Sequence, residues 1–266
     1  NLEFGNEIKN KFLTGKSFIE VKTNIENTTF NVDKDVKIDS MLLNFPYKDV
    51  IFIESPLFIN DKKINYNYNS LRDKKNYLNL KLNQKNISKD IFSDNSQDIN
   101  KFNKIIKDII KGDFEFNDKS QLIYTKGGFN FSSSSIATGI KSFGLIKLLI
   151  ESNNLNSDTL LIIDEPEVHL HPTWQVLYAE ILVKISKEFA IPMILTSHSP
   201  YFIEAIEAYS KVNIYQDSTD FYFAKKDDDL LSAKIISIND NIMPTLDSIS
   251  EAYYKIQSIR DEFWNS

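Results

Sequence analysis

Two apolar runs separated by a helical pattern constrain the fold of this chain more than any other feature. Residues 160–163 (LLII) form an unbroken run of strand length, and residues 191–195 (IPMIL) form a second one. Between them, Pro172 suits the first turn of a helix, and apolar residues recur at helical spacing over 174–185. A strand, a crossover helix and a strand in so short a span predict a βαβ unit with parallel strands buried on both faces.

The chain before this unit alternates between sheet and helix signals. Residues 17–32 alternate apolar and polar side chains around a break at Glu26-Asn27, which predicts a hairpin, and residues 50–53 (VIFI) predict a buried strand. Helical spacing predicts helices ending at Ile110 and spanning 140–150. Two short strands are expected between these helices over 113–131, with a turn at Gly127-Gly128.

The chain after Ser210 alternates again, over 212–215, 221–224 and 233–238, which predicts antiparallel strands that close the domain.

Composition excludes several classes of protein. The 266 residues are 42% hydrophobic, enough for a sizeable core, and the net charge of -6 argues against a wholly cationic nucleic-acid binder. The absence of cysteine removes disulfides, thiolate metal sites and cysteine nucleophiles, and suits a reducing cytoplasm. No apolar run approaches the roughly 18 residues of a membrane helix, so no membrane partner is expected.

The residues best suited to chemistry stand just past the two strands of the βαβ unit. Asp164 and Glu165 come after the first strand, and His198 comes after the second. Sites in α/β sheets form where such strands end, and adjacent carboxylates there are costly unless a cation or a hydrogen-bond network satisfies them. Asp164 can hold magnesium through water and Glu165 can take a proton from an attacking water. The alternative is an ordinary acidic turn.

Residues 160–172 (LLIIDEPEVHLHP) resemble the Walker B and D-loop segment of ABC-type ATPases, in the variant of the RecF-like, SMC-like and OLD-like groups, which include phage-defence proteins. The resemblance implies an α/β fold of the P-loop NTPase class, with a mixed sheet, a helical lobe and an antiparallel β subdomain. It implies ATP and Mg²⁺ as cofactors, with Asp164 supporting the metal. Glu165 would then be the general base, and His198 would contact the γ-phosphate.

A second segment resembles the ABC signature motif. Thr138 and Gly139 stand in its Ser-Gly positions and Lys141 in its fifth, where a helix begins. A helix N-terminus offers free N–H groups and glycine lets a phosphate approach, although a simple Ser-rich capping turn remains the alternative. In the family this segment touches the nucleotide held by the opposite subunit. The resemblance therefore implies a homodimer that encloses ATP.

His169 and His171, with Glu167, leave two interpretations open. Two imidazoles and a carboxylate within five residues could ligate zinc, but His198 is the one other histidine and the chain has no cysteine. The resemblance places His171 in the D-loop instead, at the nucleotide-binding interface between subunits.

The phosphate-binding loop of the family, Walker A, is not apparent. Gly15-Lys16-Ser17 has Asn10 where the pattern requires its first glycine, and a strand pattern follows it where a helix is needed. We therefore expect the loop to precede Asn1 in the native protein, so that this chain alone should be inactive.

The expected organisation is an antiparallel β portion of the head (1–58), an inserted lobe rich in Lys and Asn (59–112) and the catalytic portion (113–266). The lobe holds twelve Lys or Arg against six Asp over 61–112, so contact with DNA or RNA and contact with a partner protein are both open. The predicted function is ATP-driven dimerisation that regulates DNA-directed or defence activity, with a partner nuclease or effector subunit. The alternative is a non-catalytic assembly module that binds an effector protein.

Overall fold

A computed structural model describes residues 17–22, 27–32, 47–54, 96–116, 122–152, 154–226 and 233–264. The chain forms two compact units, one of residues 47–216 and one of residues 1–46 with 217–266. The strands are β1 (Ser17–Lys22), β2 (Asn27–Val32), β3 (Asp49–Ile53), β4 (Asp113–Phe116), β5 (Leu122–Lys126), β6 (Phe129–Ser132), β7 (Thr159–Asp164), β8 (Met193–Thr196), β9 (Tyr222–Lys226) and β10 (Ala233–Ser237). The helices are α1 (Ser96–Ile110), α2 (Thr138–Glu151), α3 (Pro172–Glu188), α4 (Pro200–Val212) and α5 (Met243–Trp264). The division at residues 58 and 112 stays a prediction.

A parallel sheet with the order β3-β7-β8 lies at the centre of the unit of residues 47–216. Ile51 pairs with Leu161, and Ile163 pairs with Leu195, so apolar residues face apolar residues along the register. Ile51, Leu161 and Ile163 are buried, as expected for strands covered on both faces. The βαβ unit predicted from the sequence is confirmed as β7, α3 and β8.

Helices α2 and α3 pack together through aromatic rings. The Phe143 ring meets the rings of Trp174 and Tyr178 edge to face, with centroids 5.5 and 5.0 Å apart. Burial raises the pKa of the Tyr178 hydroxyl well above its usual range, and that hydroxyl donates a hydrogen bond to the Ser142 carbonyl at 3.4 Å. Nearly every residue of α2 from Gly139 onward is buried, so this helix forms part of the core.

An antiparallel sheet with the order β4-β5-β6 packs against α2. The predicted strands on either side of Gly127-Gly128 are confirmed, and both glycines have positive φ angles of 59° and 82°. The sheet contains three strands rather than two, since β4 pairs with β5. The Phe114 ring is buried so close to the backbone of α2 that a Cβ atom built at Gly144 would lie 2.3 Å from it.

On the same helix, the buried Lys147 is surrounded by partly exposed charged side chains. The Lys147 side chain is 2% exposed, and its Nζ atom lies 2.9 Å from an Asp113 carboxylate oxygen and 2.7 Å from one of Glu151. Lys107 approaches the other Asp113 oxygen at 2.6 Å. Burial opposes the charge of Asp113, but the hydrogen bonds from Lys107 and Lys147 outweigh it and hold the pKa of this carboxyl below 3.8.

One predicted strand is wrong. Residues 212–215 do not form a strand: Val212 is the last residue of helix α4 and Asn213 is its C-terminal cap. Ile214 follows with a φ angle of 53°. The helix begins with Ser199, whose hydroxyl accepts a hydrogen bond from the Phe202 N–H, and with Pro200 in its first turn. Ser199 and Pro200 are a helix start signal, and the helix that begins there runs to Val212. The short alternation after Ser210 therefore falls at the end of this helix.

The other unit contains two antiparallel pairs, β1 with β2 and β9 with β10, which confirms the predicted hairpin over 17–32 and the later strands. The turn at residues 23–26, the segment Gly15-Lys16 and most of the predicted Lys-rich lobe lie outside the described residues. Within the described part of the chain, no helix is both long enough and apolar enough to cross a bilayer.

The contact between Gly144 and Phe114 gives a packing test. Gly144→Ala should lower the free energy of unfolding by about 1–3 kcal/mol, because the new methyl group overlaps a buried ring. Helix propensity alone would change stability by about 1 kcal/mol in the opposite direction. Denaturant unfolding checks the sign, and the loss should shrink in a Phe114→Leu background, where the ring is absent. A stabilised Gly144→Ala protein would contradict this packing.

The ion pairs of Asp113 with Lys107 and Lys147 predict how stability depends on pH. Because the pKa of Asp113 is lower in the folded state, its stabilising effect is fully present above pH 3.8 and is lost as the pH falls through the folded-state pKa. Asp113→Asn should cost about 1–2 kcal/mol at neutral pH and flatten this acid dependence. Asp158→Asn is the matched control, since its pair with Lys48 is exposed and should change stability by less than about 0.5 kcal/mol. Equal losses in both variants would contradict the assignment.

Candidate functional site

The parallel register of β7 and β8 brings Asp164 and Thr196 opposite each other at the carboxyl edge of the sheet. The Thr196 hydroxyl donates a hydrogen bond to the Asp164 carboxylate. The Glu165 N–H donates to the Thr196 carbonyl and to its hydroxyl, at 3.1 Å each. One threonine thus fixes the position of Asp164 at the end of β7 and of Glu165 directly after it.

Glu165 and His198 meet at this edge. The His198 Nε2 atom lies 3.6 Å from a carboxylate oxygen of Glu165, too far for a direct hydrogen bond and close enough for an ion pair when the ring is protonated. The two side chains are 85% and 46% exposed, so both can reach a ligand. The structure therefore brings together Asp164, Glu165 and His198, the three residues that the sequence predicts to act together.

The loop between β7 and α3 has an unusual backbone. Glu165 and His169 have φ angles of 46° and 69°, a left-handed conformation that is uncommon for residues other than glycine. The turn is closed by hydrogen bonds from the Val168 N–H to the Glu165 carbonyl at 3.1 Å and from the Leu170 N–H to the Glu167 carbonyl at 2.9 Å. Local strain of this kind persists only where surrounding contacts hold it, and it clusters at functional sites.

Glu167 supplies the main contact between this loop and the segment after β8. Its side chain is 5% exposed, and its Oε1 atom accepts hydrogen bonds from the Ser197 hydroxyl at 2.7 Å, the His198 N–H at 3.0 Å and the Ser199 N–H at 3.2 Å. Its Oε2 atom is buried and has no hydrogen-bond partner among the described residues. The sequence singled out Glu167 as a possible zinc ligand, and this hydrogen-bonding role was not predicted.

The two histidines of the loop are both exposed. His171 caps the N-terminus of α3, where its Nδ1 atom accepts a hydrogen bond from the Thr173 N–H at 3.3 Å. Across the described residues, no group of three or more His, Cys, Asp or Glu side chains is arranged to hold a metal ion. The position of His171 in nucleotide binding stays a prediction.

The predicted signature segment lies beside the same loop. A Cβ atom built at Gly139 would lie 3.0 Å from the Leu170 side chain and 3.4 Å from both the His169 carbonyl and the Trp174 ring. Ala137 precedes α2 and provides no side-chain cap, and Thr138 is half-buried in the first turn. Lys141 is 4% exposed, so its side chain does not extend into solvent as a free phosphate ligand would.

The donor set at the edge of the sheet fits magnesium. Asp164 and Glu165 offer carboxylate oxygens, which Mg²⁺ prefers, and Asp164 is oriented by a hydroxyl donor. Magnesium usually takes one or two protein carboxylates, with water and phosphate oxygens completing its shell. The small number of protein ligands here therefore suits a metal that arrives with a nucleotide.

Four residues of this network have no role in the sequence prediction: Gln175, Thr196, Ser197 and Ser199. The Ser199 hydroxyl donates to the Gln175 side-chain oxygen at 2.5 Å, and the Gln175 amide donates to the Leu170 carbonyl at 3.0 Å. A hydroxyl-rich segment directly before a proline is typical of a helix cap, and that signal could have located Ser199. Gln175 lies on a helix face that the sequence alone does not orient towards the site.

Comparison with known proteins gives one family match and one curated relative. The sequence profile of the family described as "AAA domain, putative AbiEii toxin, Type IV TA system" matches residues 24–204, well over half of the chain. The Septu protein PtuA of Bacillus mycoides is 24% identical over 194 residues, which cover 65% of this chain and 26% of that protein. The chain therefore spans about a quarter of the length of this relative.

Two solved structures have similar folds at low sequence identity. The SMC head domain from Thermotoga maritima has a TM-score of 0.41 and 13% identity, and covers 84% of this chain and 69% of its own. An SMC ATPase from work on ATP-driven dimerisation and DNA-stimulated activation has a TM-score of 0.39 and 12% identity, over 57% of this chain and 93% of its own. Within the chain itself, the parallel sheet β3-β7-β8 with its crossover helix α3, together with the antiparallel strand pairs, confirms the predicted mixed α/β fold class.

The cap formed by His171 can be tested separately from metal binding. His171→Ala should lower the free energy of unfolding by about 0.5–2 kcal/mol, because α3 loses its N-terminal acceptor, and His171→Asn should restore it. His169→Asn is the control, since asparagine tolerates the left-handed conformation at this exposed position. Thermal or denaturant unfolding measures the differences. An equimolar zinc ion that is lost in His171→Ala would contradict the capping role and favour a metal site.

Proposed function

The chain belongs to this family of AAA domains, and from that premise we propose that it carries the Walker B, D-loop, signature and switch segments of an ATP-hydrolysing head. The observation that carries the proposal is the convergence of Glu165 and His198, with Nε2 and Oε1 3.6 Å apart beside Asp164. These groups lie at the ends of neighbouring parallel strands, where α/β proteins bind nucleotides.

Each residue has a separate role in the proposed reaction. Asp164, oriented by Thr196, would hold magnesium through water. When bound, the metal neutralises the charge that develops on the phosphates during transfer. Glu165 would accept the proton of the attacking water, and its half-exposed carboxylate leaves room for that water. His198 would donate a hydrogen bond to the γ-phosphate from a ring that is free to face solvent.

The signature segment supports a second, intermolecular part of the proposal. The N-terminus of α2 has no side-chain cap, so the N–H at Thr138 would donate to a phosphate, while the buried Gly139 would let the helix pack against Leu170 of the D-loop. We place that phosphate on ATP held by a second copy of the head, which gives a homodimer. The buried Lys141 would brace this turn, and His171 would face the same interface from the D-loop.

The family description and the relative support a role in defence. The family is described by its printed words as a toxin of a toxin–antitoxin system, and the relative is a Septu protein. We propose that nucleotide-driven dimerisation regulates an effector subunit, with DNA or RNA as a further partner.

Substitutions at the two carboxylates should have different effects in the full-length protein. Glu165→Gln keeps the shape of the side chain but removes the base, so ATP hydrolysis should fall about 10²- to 10⁴-fold while ATP binding persists. Asp164→Asn keeps an acceptor for the Thr196 hydroxyl but weakens the magnesium site, so both Mg²⁺-dependent ATP binding and hydrolysis should weaken. Turnover assays and calorimetry measure the two effects.

Glu207→Gln is the matched control, because this carboxylate pairs with Lys211 on α4, away from the proposed site residues. It should leave hydrolysis and binding unchanged. Hydrolysis by Glu165→Gln at the unmodified rate would exclude Glu165 as the base and refute the proposed mechanism.

A further inference from the structure

We infer that Glu167 is the positioning residue that holds His198 in place against Glu165, an inference that rests on the proposed function. Glu167 would not touch the nucleotide. It would act through the backbone of the loop that carries His198, by the three hydrogen bonds that its Oε1 atom accepts from residues 197–199.

The burial of Glu167 needs a physical reason. A carboxylate taken out of water costs several kcal/mol unless donors replace the water, and an apolar side chain would avoid that cost. Here two backbone N–H groups and one hydroxyl converge on a single oxygen, and the site lies at the N-terminus of α4, where the helix dipole favours negative charge. Bonds to an ionised acceptor are roughly twice as strong as neutral ones. The carboxylate therefore holds three consecutive residues, 197–199, through a single oxygen.

The geometry links this anchor directly to the proposed base. Glu165 and Glu167 lie on the same short turn, and the Glu165 carbonyl accepts the Val168 N–H at 3.1 Å. His198 has an exposed ring but a backbone N–H bound to Glu167 at 3.0 Å. The His198 ring can therefore rotate about its side-chain bonds, while its Cα atom is held in place by the turn that contains Glu167. Both proposed reactive groups thus take their positions from one loop.

A second contact braces the arrangement from α3. The Ser199 hydroxyl donates to Gln175 at 2.5 Å, and Gln175 donates to the Leu170 carbonyl at 3.0 Å in the same loop. Leu170 in turn packs beside Gly139 of the signature turn. Movement of the signature turn against this loop would therefore reach the His198 segment through Glu167 and Gln175.

The test combines amide hydrogen exchange with kinetics in the full-length protein. Glu167→Ala should increase exchange at the amide of His198 by at least about tenfold, since this N–H loses its acceptor. The increase should be smaller at Ser199, whose N–H also donates to the Ser197 hydroxyl at 3.1 Å. It should lower kcat about 10- to 100-fold, the usual effect of removing a supporting contact, with the Kd for ATP within about threefold of the original. Glu167→Gln keeps an acceptor oxygen and should recover most of the protection and of kcat. Glu207→Ala on α4 should change neither quantity.

Ser197→Ala provides a second variant if Glu167→Ala does not fold, because it removes one donor to Glu167 and leaves Glu167 in place. It also removes an acceptor of the Ser199 N–H, so His198 is the amide to compare. Exchange at His198 should increase and kcat should fall, each by a smaller factor than in Glu167→Ala. Unchanged exchange at His198 in Glu167→Ala, or in Ser197→Ala if that variant is used, would overturn the positioning role whatever the value of kcat. Full activity of Glu165→Gln alongside faster exchange in Glu167→Ala would instead refute the proposed function and keep the structural contact.

Discussion

The parallel pairing of β7 with β8 is the constraint on which the candidate site depends. In this register Asp164 lies opposite Thr196, so the chain leaves both strands at the same edge of the sheet. A register shift of one residue would move every side chain of β8 to the other face and separate the two carboxylates from His198. The register is held by the packing of Leu161 and Ile163 in the core, which no residue of the site supplies. The geometry of the candidate site therefore depends on core packing that lies outside the site.

The loop after β7 is strained because it serves two purposes within seven residues. It must turn away from the sheet while it keeps Glu165 beside His198, and it must bring Glu167 back under residues 197–199. Left-handed residues at 165 and 169 make both turns possible, at a cost of order 1–3 kcal/mol each. The hydrogen bonds to Thr196 and from residues 197–199 offset that cost only when β8 is correctly paired. The conformation of the loop and the pairing of the strands therefore stabilise each other.

The sequence predicted those parts of the fold whose signals are local. Strands β3, β7 and β8 are short apolar runs, and α3 has both a proline start and helical periodicity. The end of helix α4 was predicted wrongly as a strand because its last residues alternate apolar and polar side chains. The convergence of Asp164, Glu165 and His198 followed from strand order. The contacts of Glu167 and Gln175 did not, because they depend on how a loop folds back across two strands, which no periodicity encodes.

Two buried charges, Lys147 and Glu167, show how the same unit uses burial in different ways. Lys147 is surrounded by opposite charges on Asp113 and Glu151, an arrangement that joins α2 to β4 in one stable geometry. Glu167 is held by neutral donors, and one of its oxygens is left without a partner among the described residues. Hydrogen bonds from backbone N–H groups to a carboxylate fix the position of a loop without immobilising a second charged side chain. Breaking them leaves no unpaired buried cation, whereas breaking the pairs of Lys147 would. A contact of this kind suits the proposed function, in which the segment holds His198 in place and still responds to a bound nucleotide.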